Sequence, residues 1–313
     1  MLILEIILIV AGIAAVLYGA DFMTNGAVAL AKRMQIPEIV IGLTIVAIGT
    51  SAPELFVSIV SAINGTPDLA VGNVVGSNIF NTLLIGGASA VVAPIIITKE
   101  TVWRSLPIAA IASAMLIVFC LDKSISRTDA VLLFVGFLVF MFYTVRSAKN
   151  ADQAESENKD KQDSGNVSIW KPIGLIVLGL ALLIIGSNVF VDNASKLAAA
   201  LGVSEAVIGL TIVAGGTSLP ELATSVVAAH KGQSAMAIGN VLGSNIFNIL
   251  MILGIAGIIK PMNIVGITTI DLSVMLISII ILWLFSFTKL KVQRWEGAVL
   301  LIIFAGYMAW LLH

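Results

Sequence analysis

Two glutamates stand alone in apolar stretches of the chain. Glu54 is the only charged residue from position 39 to position 67, and Glu221 is the only one from position 206 to position 230. A carboxylate near the centre of a bilayer costs about 3 kcal/mol on insertion scales. Because neither stretch holds a Lys or Arg, the two charges must be balanced by protons or by a bound cation.

The residues around Glu54 favour a bound cation. Ala47, Thr50, Ser51 and Glu54 recur at i, i+3, i+4 and i+7, so their side chains share one face of a helix. Pro53 has no backbone donor, and this predicts a break in the helix that frees carbonyl oxygens in the preceding turn. The arrangement recurs around the second glutamate in Ala214, Thr217, Ser218, Pro220 and Glu221. Each glutamate is thus expected in a nest of carboxylate, hydroxyl and carbonyl oxygens.

Two further apolar stretches add polar groups. Ser77 and Asn81 stand at i and i+4 in one of them, and Ser244 and Asn248 stand in the same relation in the other. Calcium takes about 6 to 8 hard oxygen ligands in flexible geometry, whereas zinc or copper would require His or Cys. The pattern predicts a dehydrated calcium site whose hydroxyls and carbonyls also suit sodium. Other amides in these stretches are interpreted as helix-packing residues, namely Asn73, Asn78, Asn240 and Asn245.

These polar positions belong to an internal repeat. Residues 38–85 and 205–252 align at a constant offset of 167 without a gap and agree at 31 of 48 positions. Agreement at this level over a fixed offset indicates a duplicated unit. The same offset places Gly12 on Gly179, so the duplication extends beyond the polar core.

Composition assigns the chain to the membrane proteins. It is 59% hydrophobic and 11% charged, with a mean hydropathy of +1.08, and this leaves too little polar surface to cover a soluble globule. The 17 Lys and Arg are scattered between apolar runs, which argues against a nucleic-acid partner. The single cysteine, Cys120, excludes an intrachain disulfide. We expect no resident cofactor.

The apolar stretches predict an all-α membrane protein with ten transmembrane helices. A span needs about 20 mostly apolar residues. Ten stretches qualify, at residues 3–23, 38–62, 69–92, 103–120, 129–146, 170–191, 205–229, 235–258, 268–287 and 295–312. The polar tract 147–169 is expected to link a first half, residues 1–146, to a second half, residues 170–313. Five spans in each half predict that the halves insert in opposite orientations, as an inverted repeat.

Positive charges predict the orientation of the chain in the membrane. Thirteen Lys and Arg lie in the connections after the first, third, fifth, seventh and ninth spans, against four in the other connections. Cytoplasmic connections carry the excess of positive charge. The linker is therefore predicted to be cytoplasmic and both termini to be outside. We expect a multi-pass protein of the cell membrane that functions as a monomer in the lipid bilayer.

Two paired motifs resemble those of a known family. GTSAPE and GTSLPE, followed by GNVVGSNIFN and GNVLGSNIFN, are similar to the two alpha-repeats of the calcium/cation antiporter superfamily, and most similar to those of prokaryotic sodium/calcium exchangers. The resemblance implies that calcium binds Glu54 and Glu221 together with the carbonyls of Thr50 and Thr217. It implies sodium ligands at Ala47, Ser51, Ser77, Ala214, Ser218 and Ser244, with Asn81 and Asn248 completing the centre. The first and sixth spans would slide to open the site to either side in turn.

One position departs from the pattern of these exchangers. The best-studied members carry an acidic residue at the position of Asn248, whereas both symmetric positions are amides in this chain. The site is thus limited to two formal negative charges. Calcium/proton exchange, or potassium-dependent sodium/calcium exchange, through the same glutamates is the nearest alternative.

Two other classes of function fit the sequence less well. A cation channel could use the same ring of oxygens, but inverted repeats with helices broken at mid-membrane fit a carrier better than a continuous pore. An intramembrane enzyme lacks support because GTSAPE has no second glycine of a nucleophile elbow, and neither His230 nor His313 lies in the middle of a span. We predict a secondary antiporter that exchanges calcium for sodium by alternating access.

Overall fold

The computed structural model describes residues 2–156, 169–202 and 214–311, and these residues are almost entirely helical. The helices are α1 Leu2–Met34, α2 Glu38–Thr50, α3 Ala52–Asn64, α4 Pro67–Val92, α5 Thr101–Phe119, α6 Arg127–Ser156, α7 Trp170–Ala200, α8 Ala214–Thr217, α9 Leu219–His230, α10 Ser234–Ile259, α11 Thr269–Phe287 and α12 Arg294–Leu311. Short strands lie at β1 Ile95–Ile96, β2 Ser124–Ile125, β3 Met262–Asn263 and β4 Lys291–Val292.

Most of these helices are long and apolar enough to cross a membrane. Eight qualify individually within the described residues, and α2 with α3, bent by 49° where they meet, makes a ninth candidate. Residues 205–213 of the predicted span 205–229 lie outside the described part of the chain, and the rest of that span forms α8 and α9. The chain is therefore an all-helical, multi-pass membrane protein.

Three helices are longer than the sequence predicts. α1 continues beyond residue 23 to Met34, because the chain meets no proline before Pro37. α6 continues to Ser156, into the segment predicted as a linker, because residues 147–156 contain neither Gly nor Pro. α7 continues beyond residue 191 to Ala200, because residues 192–200 contain neither Gly nor Pro. A change in polarity marks where the surroundings of the chain change, but it does not by itself stop a helix.

Proline breaks the helix ahead of each glutamate, as the sequence predicts. Pro53 lies in the first turn of α3, and Pro220 lies in the first turn of α9. Across the first break, the Ser51 N–H still donates to the Ala47 carbonyl at 3.0 Å. The Gly49 carbonyl has no i+4 donor, because Pro53 has no N–H, and it accepts instead from a backbone N–H at the end of α2. The break thus leaves polar backbone close to the glutamate.

Helices α1 and α7 run antiparallel along a seam of glycines. Gly12 lies against Gly186, and Gly19 lies against Gly179, so rising residue numbers in α1 meet falling numbers in α7. A Cβ at Gly12 would lie 2.9 Å from the Gly186 carbonyl oxygen, and one at Gly179 would lie 2.6 Å from the Met23 nitrogen. Such distances are shorter than a carbon atom tolerates in a packed interior. Small residues are what allow membrane helices to approach this closely.

Two short antiparallel ladders join the two halves of the chain. β1 pairs with β4, with Ile95 opposite Val292, and β2 pairs with β3, with Ser124 opposite Asn263. The sequence offset of 167 relates β1 to β3 and β2 to β4. Each ladder therefore joins an element of one half to an element of the other, and the two ladders are reciprocal.

The apolar core consists of two packed groups of side chains. The larger group comes from α2 to α6 and from α10 to α12. The smaller group joins α1, α7 and α9 to parts of α2 and α10, and it includes Met23, Val46, Leu183, Ala228 and Met236. The core around α1 and α7 is thus separate from the larger group.

Candidate functional site

Glu54 and Glu221 are each held by a hydroxyl group from the other half of the chain. Ser218 Oγ donates to Glu54 Oε1 at 3.1 Å, and Ser51 Oγ donates to Glu221 Oε1 at 2.9 Å. The offset of 167 relates Ser51 to Ser218 and Glu54 to Glu221, so the two hydrogen bonds are reciprocal. Both glutamates are only 1% exposed. The structure therefore brings the two predicted carboxylates into one buried site between the halves.

Each of these carboxylates keeps one oxygen without a hydrogen bond. Glu54 Oε2 and Glu221 Oε2 are buried and lack a partner among the described residues. The ion pairs of the described residues involve neither glutamate. A buried anionic oxygen without a partner is unfavourable, because the carboxylate has lost its hydration. Positive charge in the form of a proton or a cation would remove that penalty.

Two amide oxygens extend the set of unpaired acceptors. Asn81 Oδ1 and Asn248 Oδ1 are buried without a hydrogen-bond partner among the described residues. Each is the second residue of a π-helical segment, Phe80–Ile85 in α4 or Phe247–Ile252 in α10. π-helical turns are rare and occur often at functional sites. Carboxylate and amide oxygens that lack donors are what a hard cation such as Ca²⁺ prefers.

The two serines predicted on the neighbouring helices differ in their contacts. Ser77 Oγ lies 3.4 Å from Ser218 Oγ, which is the hydroxyl that donates to Glu54. Ser244 is fully buried and its Oγ has no partner among the described residues. Ser77 is thus connected to a glutamate through one hydroxyl, whereas Ser244 contributes a further unpaired oxygen in α10.

The predicted threonines and alanines lie in the helices that precede the two breaks. Thr50 ends α2 and Thr217 ends α8, each one residue before the serine that bonds a glutamate. Thr50 is fully buried, and its hydroxyl donates to Asn240 Oδ1 at 3.1 Å. The Ala47 carbonyl, an implied sodium ligand, already accepts a backbone hydrogen bond at 3.0 Å. Ala214 is the first residue of α8.

Asn73 and Asn240, interpreted as packing residues from sequence, touch the backbone of the glutamates. Asn73 Nδ2 donates to the Glu54 carbonyl at 3.2 Å, and Asn240 Nδ2 donates to the Glu221 carbonyl at 3.4 Å. The available signal was that both positions keep Asn in the repeat. An amide is common both in packing and in binding sites, so residue type alone could not separate the two roles.

The remaining amides bond across the helix interface, as the sequence predicts. Asn248 Nδ2 donates to Asn78 Oδ1 at 3.0 Å, which joins α10 to α4. Asn245 Nδ2 donates to Thr82 Oγ1 at 2.8 Å, which joins the same two helices. These bonds hold together α4 and α10, the two helices whose π-helical segments carry Asn81 and Asn248.

The fold and the buried site define a class, namely multi-pass membrane transport proteins. The family model described as sodium/calcium exchanger protein matches residues 4–146 and 171–313. The chain therefore belongs to the sodium/calcium exchanger protein family and is a transport protein and not an enzyme. This confirms the resemblance that the paired motifs indicate.

Relatives and a solved structure agree with this membership over the whole chain. Sodium/calcium exchanger MaX1 of Methanosarcina acetivorans is 33% identical over an alignment of 353 positions, gaps included, that covers 100% of both chains. Inner membrane protein YrbG of Escherichia coli (strain K12) is 35% identical over 309 residues, 97% of this chain and 94% of that protein. The solved structure of the sodium-calcium exchanger NCX_Mj soaked with zero Na⁺ and Ca²⁺ has a TM-score of 0.87 and 32% identity, covering 99% of this chain and 100% of that one.

Proposed function

We propose that the chain is a secondary antiporter that exchanges Ca²⁺ for Na⁺, with the ions bound between Glu54 and Glu221. The observation that carries this proposal is the pair of buried carboxylates, each with one oxygen bonded to a serine of the other half and one oxygen unpaired. Two negative charges at one buried point call for two positive charges. One Ca²⁺ or two Na⁺ supply them. Membership of the family and the names of the relatives MaX1 and NCX_Mj support the choice of ions.

The proposed ligands form two sets related by the repeat. Calcium would bind the two glutamate carboxylates and the carbonyls of Thr50 and Thr217. Sodium would use oxygens of Ala47, Ser51, Ser77, Ala214, Ser218 and Ser244, and Asn81 and Asn248 would complete the centre. The unpaired oxygens of both glutamates and both of these asparagines support this assignment.

The proposal includes an architecture of ten helices in two inverted five-helix units. Three reciprocal features support it: the antiparallel seam of α1 and α7, the two exchanged strand ladders, and the exchanged serine–glutamate hydrogen bonds. A two-fold axis in the membrane plane would relate the members of each pair. In this arrangement the linker is cytoplasmic and both termini are outside, in agreement with the positive-inside rule.

The two related helices α3 and α9 are covered to different extents by neighbouring helices, and this difference supports alternating access. Ala223 and Ala228 of α9 pack against Met23 and Ala27 of α1. α7 makes no comparable packing on α3 within the described residues. Phe56 of α3 is 71% exposed, whereas Ala223, its equivalent in α9, is 7% exposed. One side of the site is thus covered by α1 and the other is not, as expected of a carrier in one of its two states.

The test is Ca²⁺ uptake into proteoliposomes that contain the purified full chain. The vesicles are loaded with Na⁺ and diluted into Na⁺-free buffer at constant pH, with an ionophore that clamps the membrane potential. Uptake that requires the Na⁺ gradient, and that reverses when the gradient is reversed, is the expected result. Absence of Ca²⁺ uptake in every gradient would overturn the proposal.

The proton is the second candidate counter-ion. Asn81 and Asn248 are amides, so the two glutamates are the titratable groups of the proposed ligand set, and a carboxylate can exchange Ca²⁺ for protons. Uptake that follows a pH gradient and ignores Na⁺ would favour calcium/proton exchange, and a requirement for K⁺ would favour the potassium-dependent form. Single-channel conductance would instead favour a cation channel.

An ion pair joins α1 to the residue that follows α9, and we expect its loss to expose the covered side of the site. Lys231 Nζ contacts Asp21 of α1 and also donates to Asn25 Oδ1 at 2.8 Å. The repeat has uncharged Asn64 at the position of Lys231, so the uncovered side has no such pair. Thr224 lies in α9 between Glu221 and Lys231 and is fully buried. Asp21→Asn is expected to raise the rate at which a cysteine at position 224 reacts from the cytoplasmic side by about 1.5- to 5-fold, the range for a partly exposed ion pair.

The rate is measured with a membrane-impermeant maleimide on inside-out vesicles, in a Cys120→Ser background. Glu100→Gln is the matched control, because it breaks another partly exposed ion pair, with Arg104 on α5, away from α1. An equal rate in the Asp21→Asn variant and in the control would contradict the prediction.

A further inference from the structure

Asn240 connects the two halves of the site through one fully buried amide. Its Nδ2 donates to Ser225 Oγ at 2.9 Å and to the Glu221 carbonyl at 3.4 Å, both in α9. Its Oδ1 accepts from the Thr50 hydroxyl, in α2, at 3.1 Å. Asn240 is 0% exposed, so no water competes for these bonds. The amide thereby ties the backbone of one glutamate to the end of the broken helix of the other half.

Thr50 lies next to a residue that is hydrogen-bonded directly to Glu221. Thr50 precedes Ser51, and Ser51 Oγ donates directly to Glu221 Oε1 at 2.9 Å. Two consecutive residues at the helix break are thus attached to Glu221, one directly and one through Asn240. The Thr50 hydroxyl proton faces Asn240 Oδ1 at 3.1 Å, with the Ala47 carbonyl as a more distant acceptor at 3.4 Å, and the carbonyl oxygen of Thr50 is the proposed ion ligand. Asn240 fixes how far this carbonyl lies from the Glu221 carboxylate.

The equivalent residue of the first half is held in a different environment. Asn73 Nδ2 makes the same two kinds of bond, to the Glu54 carbonyl at 3.2 Å and to Ser58 Oγ at 3.0 Å. Asn73, however, is partly exposed, whereas Asn240 is completely buried. A hydrogen bond that is shielded from water holds its geometry more firmly than one open to solvent. The second half therefore supplies the more rigid of the two connections.

We propose that Asn240 is a positioning residue that sets the size of the ion site through Thr50, and so determines the preference between divalent cations of different radius. The inference rests on the proposed function and deepens it. Discrimination between hard cations depends on cavity size and on the rigidity of the ligands. Loosening the bond between Asn240 and Thr50 would let the Thr50 carbonyl move outward and enlarge the site. The affinity for a larger cation of the same charge would then fall less than the affinity for Ca²⁺.

The test measures half-saturating concentrations of Ca²⁺ and of the larger Sr²⁺ in Na⁺-driven uptake. Thr50→Val removes the hydroxyl and keeps both the backbone carbonyl and the shape of the side chain. It is expected to raise the half-saturating Ca²⁺ concentration by about 2- to 10-fold, the effect of one hydrogen bond, and to raise that of Sr²⁺ by less. Asn240→Leu also removes the bonds to Ser225 and to the Glu221 carbonyl, so it should act in the same direction and more strongly. The double variant should be no worse than Asn240→Leu, because the bond between Thr50 and Asn240 is already lost in that variant. Thr50→Ser keeps a hydroxyl and should restore most of the preference for Ca²⁺.

Thr44→Val is the matched control, since the Thr44 hydroxyl donates within its own helix, to the Val40 carbonyl at 2.6 Å, and its loss should leave the Sr²⁺/Ca²⁺ ratio unchanged. Three outcomes would each overturn the inference. In Thr50→Val, the half-saturating concentrations of Ca²⁺ and Sr²⁺ could rise by the same factor, or the maximal rate alone could fall. In the double variant, the effects of the two substitutions could add. Those outcomes leave Na⁺-driven Ca²⁺ uptake by the wild type intact, so they are distinct from a failure of the proposed function. If Asn240→Leu does not fold, Thr50→Val and Thr50→Ser decide the matter alone.

Discussion

Replacing Glu54 or Glu221 with glutamine is expected to lower Na⁺-driven Ca²⁺ uptake by about two to three orders of magnitude, the effect of removing one partner from a buried pair of charges. Glutamine keeps the size of the side chain and its capacity to accept the serine hydrogen bond. It removes one negative charge from a site that is 1% exposed on either side. A bound Ca²⁺ would then keep one uncompensated positive charge away from water.

The measurement is initial uptake of radioactive Ca²⁺ into Na⁺-loaded proteoliposomes, normalised to the amount of folded protein. Glu100→Gln is the matched control: it makes the same chemical change at a side chain that is 58% exposed and paired with Arg104. We expect this control to transport at the wild-type rate. Wild-type uptake by either Glu54→Gln or Glu221→Gln would mean that the carboxylate is not a ligand, and the proposed site would be wrong.

Gly179→Ala is expected to lower the free energy of unfolding by about 1 to 3 kcal/mol, the cost of overpacking a closely fitted interface, and to reduce transport. A Cβ at this position would meet the Met23 nitrogen at 2.6 Å and the Gly19 carbonyl oxygen at 2.7 Å. Both contacts are with backbone atoms, which cannot rotate away as a side chain would. The helices α1 and α7 would have to separate.

The control is Gly174→Ala in the same helix, where a Cβ would meet nothing within 4 Å. Both substitutions make a similar gain in helix propensity, so the difference between them isolates the contact with α1. The measurements are thermal unfolding in detergent and Na⁺-driven Ca²⁺ uptake. Equal stability and equal uptake of the two variants would contradict the close packing of the seam.

The sequence predicts the membrane character, the proline breaks and the burial of Glu54 and Glu221 in apolar surroundings. This works because a carboxylate in an apolar run, a missing N–H at Pro53 and a gapless repeat each have a direct physical consequence. Residue type also suggests that Ser51 and Ser218 lie near the glutamates. The lengths of α1, α6 and α7 are less predictable, because a change in polarity does not by itself end a helix.

The exchange of contacts between the halves could not be predicted from the sequence. Ser51 lies close to Glu54 in the chain, yet its hydroxyl bonds Glu221, and a spacing rule for a single helix gives no hint of this. The strand ladders, two residues long, carry too little pattern to identify. The π-helical segments that carry Asn81 and Asn248 are of a rare type, and no residue pattern in the sequence predicts them.

The two amides at positions 81 and 248 determine how the proposed exchanger would respond to membrane voltage. With two carboxylates and two neutral amides, a site that holds one Ca²⁺ has no formal net charge. Moving a neutral site performs no electrical work, whereas each net charge contributes about 2.3 kcal/mol per 100 mV. The calcium half of the cycle would then be insensitive to voltage. Any current during exchange would come from the half of the cycle that carries sodium. Two Na⁺ neutralise the site, so the sign and size of the current would report the number of Na⁺ carried in excess of two.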